Sequence, residues 1–163
     1  MSHTDLRPLP NTPSTTKISR HNNNRLGAVF SSLYGFWTSR QATANATGQN
    51  AAIARRDAYS MILFDRSATT CISNDFTSSP DDLLNGIATH RVGRGTNYTE
   101  ALAEAQSVMV QHWSNERCVI PVGHSRRGLT LHRSPVVIFL SDGEGSVSDG
   151  TVRSACRAAI DRG

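Results

Sequence analysis

Pro135-Val136-Val137-Ile138-Phe139-Leu140-Ser141-Asp142-Gly143-Glu144 is the stretch whose reading decides the fold. Its apolar residues run on without alternation, which predicts a strand covered on both faces. A strand covered on both faces needs helices on each side of a sheet, so the expected class is α/β. The run ends in Ser-Asp-Gly, a turn former. Asp142 therefore stands at the carboxyl end of the strand, the edge where open α/β sheets collect ligands.

Working outward, Val152, Ala155, Cys156, Ala159 and Ile160 predict a helix to the end of the given chain. Upstream, residues 114–134 read as a long connection holding Arg117, Arg126, Arg127 and Arg133, with room for a small hairpin at 118–122 and 129–131. Before it, Tyr98, Ala101, Leu102, Ala105, Val108, Met109 and His112 keep helical spacing. Asn97 and Glu100 form a variant capping box at the start of that helix, after the turn Gly93-Arg94-Gly95-Thr96. Ser79-Pro80-Asp81-Asp82 starts another helix: serine caps, proline takes the first helical position and two carboxylates meet the helix dipole. Leu83, Leu84, Ile87 and Ala88 are its buried side. Tyr59–Phe64 reads as a buried strand, and residues 67–74 as an edge strand joined to it through Asp65-Arg66. Leu26, Val29, Phe30, Leu33, Tyr34 and Trp37 lie on one face of a helix over residues 25–40, followed by a polar connection over 41–54. Residues 1–24 carry almost no large apolar groups and read as a disordered tail.

Composition narrows the function classes. The 163 residues carry 17 Lys+Arg against 13 Asp+Glu, a net charge of +4. Lys17 is the one lysine, and the arginines are scattered, so charge alone does not make a nucleic-acid binder. No apolar run is long enough for a transmembrane helix, and residues 1–24 hold no signal-like stretch. The expected compartment is the cytoplasm or the nucleus, with no membrane partner. Cys71, Cys118 and Cys156 are odd in number and lack C-x-x-C spacing, which predicts free thiols rather than a disulfide framework or a zinc site. The Asn-x-Thr patterns at 45–47 and 97–99 read as accidental in that compartment.

Two enzyme-like patterns fail on their residues. Gly93-x-Gly95-x-x-Tyr98 lacks the third glycine and the preceding strand of a dinucleotide site. Gly123-His124-Ser125-Arg126-Arg127-Gly128 has Arg127 where a nucleophile elbow needs glycine. The histidines form no ligand cluster along the chain, and His112 reads as a core or boundary residue. What remains is a turn, Gly95-Thr96-Asn97, opening a helix, and a strand ending in Asp142. A Thr hydroxyl and an Asp carboxylate at one sheet edge suit a hard cation such as Mg²⁺, which takes oxygen ligands and keeps several waters.

With these two motifs in this order, residues 25–163 resemble a von Willebrand factor A domain. The resemblance rests on the helix at 25–40, the strand 58–65 with its hairpin, Gly93-x-Gly95-Thr96-Asn97-x-x-x-Ala101-Leu102, and Val136–Glu144. It implies a Rossmann-like doubly wound sheet, a non-enzymatic protein-interaction module, and a metal-ion-dependent adhesion site to which Thr96 and Asp142 would contribute. The Asp-x-Ser-x-Ser motif that supplies three further ligands in that family does not occur before Leu26. The strand that carries it would lie between strands 58–65 and 136–141, and the chain stops where the family has further strands. The resemblance therefore implies a domain incomplete at both ends. It also implies a degenerate site, holding Mg²⁺ or another divalent cation weakly through Thr96, Asp142 and water. Two other readings stand beside it. In one, the chain is a fragment of a larger multidomain protein, an enzyme or of ubiquitin-ligase type, in which this segment recruits protein partners. In the other, RNA binds through the arginine-rich loop 117–133, against which the lack of interleaved aromatic residues argues.

Overall fold

The structure is a computed structural model that describes residues 5–46, 57–91, 93–112, 136–141 and 149–160. It is a mixed helix and strand protein. Its elements are α1 (Thr15–Ser19), α2 (Arg25–Ala46), β1 (Tyr59–Phe64), β2 (Ala68–Asp75), α3 (Pro80–Ala88), α4 (Tyr98–His112) and α5 (Asp149–Ile160). Among the described residues the sheet has two strands, β1 and β2, paired as an antiparallel hairpin. The chain divides into two compact units. The first comprises residues 1–61 and 70–94, the second residues 62–69 and 95–163.

The first unit is built on α2. Asn24 caps it, with its Oδ1 accepting the Gly27 N–H at 3.1 Å. Leu26, Phe30 and Trp37 of the expected face are buried. The helix outruns its expected end and continues to Ala46. Residues 41–46 contain neither Gly nor Pro, so an already nucleated helix propagates through them.

α3 packs against α2 with Leu83, Leu84, Ile87 and Ala88, each at most 3% exposed. Its start is as the sequence predicts. The Ser79 hydroxyl accepts the Asp82 N–H at 3.2 Å, and Asp82 Oδ2 accepts the Ser79 N–H at 3.1 Å, a closed capping box. The Ser79 hydroxyl also donates to Asp82, which holds the Asp82 carboxyl below its usual range. Replacing Ser79 by Ala is expected to lower the stability of the folded chain by about 1 kcal/mol, read from urea unfolding. Replacement by Thr, whose hydroxyl can both accept the Asp82 N–H and donate to the Asp82 carboxylate, should largely preserve it.

Residues 5–24, expected as a disordered tail, contain α1 and pack on this unit. Ile18 is fully buried and Asn22 is 1% exposed. The Asn22 amide donates to Ala88 O at 3.0 Å and His90 O at 2.8 Å, at the carboxyl end of α3. Arg25 Nε donates to Asp5 at 2.8 Å, and this bond to the guanidinium brings the Asp5 carboxyl down to about 2. A segment poor in apolar residues is thus held by one buried isoleucine and by side-chain bonds to distant backbone, which hydrophobic patterning does not register.

Two further expectations are corrected. β1 is half-buried along most of its length, not covered on both faces. Residues 136–141, expected as the fully buried strand of a doubly wound sheet, are neither strand nor buried. Val136, Val137, Ile138, Phe139 and Leu140 are 80%, 52%, 70%, 44% and 47% exposed. Burial of such a run needs neighbouring strands to pair its backbone and helices to cover both its faces, and among the described residues 136–140 take part in no backbone–backbone hydrogen bond. The remaining element of the second unit, α5, packs on α4 and begins three residues ahead of the expected Val152.

Candidate functional site

Thr96, one of the two site residues predicted from sequence, falls in the second unit, in the turn before α4 that meets the tip of the hairpin. The tip is an Asx turn. Asp65 Oδ1 accepts the Ser67 N–H at 3.0 Å, and the Asp65 N–H donates to Ser67 O at 2.9 Å. The Ser67 N–H is the main reason that the Asp65 carboxyl sits below its usual range, so it stays ionised at neutral pH.

Asn97 ties the tip to α4. Its N–H donates to Asp65 O at 2.7 Å, and its side-chain amide donates to Arg66 O at 3.2 Å and to Glu100 Oε2 at 3.0 Å. Asn97 Oδ1 accepts the Glu100 N–H at 3.1 Å, so the predicted cap forms. Its return bond differs from the usual box. Glu100 reaches the Asn97 side chain instead of the Asn97 backbone N–H, because that N–H is already held by Asp65. The other Glu100 oxygen accepts the Ala68 N–H at 3.1 Å. Just ahead of Thr96, Gly95 has φ +85°, and a Cβ there would stand 2.8 Å from Arg66 Cγ. The turn thus needs glycine for its backbone and for its close approach to the tip.

Thr96 is half-buried between these fixed residues and has no hydrogen-bond partner among the described residues. Asp142 lies outside the described residues, as do Cys118 and the arginine-rich loop 117–133. The residues just ahead of Asp142 are nevertheless placed against the turn. The Ser141 and Tyr98 hydroxyls are 2.9 Å apart. Phe139 stacks on Phe64 at 5.2 Å between ring centroids, and Tyr98 meets both rings edge-on at 5.4 and 5.9 Å. The carboxyl end of β1, the amino end of α4 and the stretch leading to Asp142 therefore converge on one aromatic cluster. The chain matches no family model, no curated protein and no solved structure.

Oxygen donors at this corner are few. Both Glu100 oxygens and Asp65 Oδ1 accept backbone or amide N–H groups, so of these two carboxylates only Asp65 Oδ2 has no such bond, and the other oxygens of the corner are hydroxyls, Thr96 among them. Among the described residues no three His, Cys, Asp or Glu side chains gather in a metal-binding group. This donor set fits a divalent ion held mostly by water and does not fit a closed shell. Asp65 was not singled out in the sequence. Its signal is the one that marked Asp142, a carboxylate at the carboxyl end of a strand followed by turn residues.

A hollow of about 380 Å³ between α4 and α5 is lined by Thr99, Leu102, Ala103, Gln106, Gly150, Thr151 and Ser154, none of them titratable. Among the described cysteines, Cys71 is half-buried and Cys156 is exposed, both as free thiols. No described helix is long and apolar enough to cross a membrane.

Proposed function

We propose that the chain is a non-enzymatic protein-interaction module of the von Willebrand A type, with a degenerate metal-ion-dependent adhesion site. The carrying observation is the meeting of the two sequence motifs at the Tyr98–Ser141 contact and the Phe139–Phe64 stack. It supports the reading because a doubly wound sheet would present its carboxyl edge, and with it Thr96 and Asp142, at such a corner. Thr96 and Asp142 would hold Mg²⁺ or another divalent cation, with water filling the other positions, and the ion would offer an open coordination position to a carboxylate on a protein partner.

Isothermal titration of the full chain with Mg²⁺ and with Mn²⁺ tests the site. Binding weaker than micromolar is expected, and it should vanish in Asp142→Ala. A micromolar constant would mean a complete ligand shell and overturn the degenerate site. Binding indifferent to both Thr96→Ala and Asp142→Ala would move the ion elsewhere.

A further inference from the structure

Asn85-Gly86 is the one Asn-Gly pair in the chain. Such pairs belong in tight turns, where both residues tolerate a left-handed backbone. Here the pair sits inside α3, with both residues exposed. The residues on either side are core: Leu83 and Leu84 before it, and Ile87 and Ala88 after it, are each at most 3% exposed. The Asn85 side chain has no hydrogen-bond partner among the described residues.

An exposed Asn-Gly pair carries a chemistry of its own. Gly86 has no side chain to hinder approach to the Asn85 amide. Its backbone nitrogen, once it has lost its proton to base, can attack Asn85 Cγ. The bond from Cγ to the side-chain nitrogen then breaks, and ammonia leaves with a proton taken from water. The product is a five-membered succinimide. Water opens the ring at one carbonyl or the other, which leaves aspartate or isoaspartate at position 85. Water is the only co-reactant, and nothing is oxidised or reduced.

The helix opposes the first step. α3 pairs the Gly86 N–H with the carbonyl four residues back, as it pairs the Leu83 N–H with Ser79 O at 3.0 Å. It also holds ψ of residue 85 at the helical value of about −42°, and ring closure needs ψ turned away from that value.

We infer that Asn85-Gly86 is a site of spontaneous deamidation gated by the opening of α3, and that its conversion dismantles the packing of the first unit. Isoaspartate routes the main chain through the side chain and adds one methylene between residues 85 and 86. That insertion breaks the helical register between Leu83-Leu84 and Ile87-Ala88, so the four can no longer share one face. It also displaces Ala88 O and His90 O, the acceptors of the Asn22 amide, and residues 5–24 lose their dock. Because ammonia is lost, the converted fraction records the time α3 has spent open.

Incubation of the full chain at mildly alkaline pH, with and without urea, tests the inference, with conversion read by peptide mass spectrometry. Conversion at position 85 is expected in urea, and at least ~10-fold more slowly in the folded chain. Ser79→Ala, which weakens the capping box of α3, should speed conversion of the folded chain by about 5-fold and leave the rate in urea unchanged. Gly86→Ala should convert slowly in both conditions, because its methyl hinders the attack. It should keep the fold, since a Cβ at Gly86 meets only Ile72 Cγ1, at 3.9 Å. Wild-type chain converted in urea and refolded should have a lower urea midpoint than unconverted chain carried through the same steps. Lack of conversion in urea would overturn the site. Equal rates in folded and unfolded chain, or a folded-state rate indifferent to Ser79→Ala, would overturn the gate. An unchanged midpoint after conversion would overturn the consequence for packing.

Discussion

Replacing Asn22 by Ala is expected to destabilise the folded chain by about 1–3 kcal/mol, seen as a lower midpoint in urea or thermal unfolding. A helix leaves its last carbonyls without intrahelical donors. In α3 the Thr89 and His90 N–H groups both turn back to Ile87 O, so neither serves Ala88 O. The Asn22 amide supplies that donor, at 3.0 Å to Ala88 O and 2.8 Å to His90 O. Ala88 is 3% exposed and Asn22 1%, so water does not readily replace the lost bonds. Asn22→Asp, nearly identical in shape, should cost more at neutral pH, because a carboxylate would then face two carbonyl oxygens. The deficit should shrink as pH falls toward the ordinary Asp range near 4, where a protonated carboxyl can donate once more. Equal midpoints for wild type, Asn22→Ala and Asn22→Asp would show that residues 5–24 are not docked on α3.

The second large effect is expected from a matched pair of glycines in α2. In isolation, Gly→Ala inside a helix is favourable by about 1 kcal/mol. At Gly35 nothing lies within 4 Å of the added methyl, so Gly35→Ala should stabilise by roughly 0.5–1 kcal/mol. At Gly27 the same methyl would collide with the Asn22 carbonyl oxygen and stand 3.0 Å from Pro8 Cγ. The Asn22 carbonyl has little room to retreat, because its N–H is bonded to Ile18 O at 2.8 Å and its amide to α3. Sterics override propensity here, and Gly27→Ala should destabilise by about 1–3 kcal/mol. The two glycines should therefore move the unfolding midpoint in opposite directions. The double variant Asn22→Ala with Gly27→Ala should cost less than the sum of its parts, since each loosens the same segment. A Gly27→Ala chain as stable as Gly35→Ala would contradict the packing of residues 8–22 on α2.

Both effects arise at residues for which the sequence offers no functional or structural signal. Asn22 stands in a run of three asparagines that reads as disordered, and Gly27 looks like a weak point in a helix. Their roles come from contacts with residues far along the chain, and no local pattern records a partner so distant. The candidate site divides in the same way. The cap at Asn97 and the need for glycine at 95 follow from local rules. That Glu100 would spend its second oxygen on Ala68, and Asn97 its N–H on Asp65, depends on where the hairpin tip lands.

What the sequence determined by itself are the elements whose energetics close within a few residues. The capping box at Ser79–Asp82, the hairpin around Asp65-Arg66, the buried side of α3 and the start of α4 all rest on bonds or side-chain faces that neighbours along the chain supply. Only the tertiary structure decided what covers each element. Residues 5–24 gain order from burial of Ile18 and from bonds between Asn22 and α3, whereas 136–140, far more apolar, stay uncovered among the described residues. Hydrophobicity states how much a segment gains from burial. Whether it is buried depends on a strand edge or helix face arriving from elsewhere, and that is a property of the assembled chain.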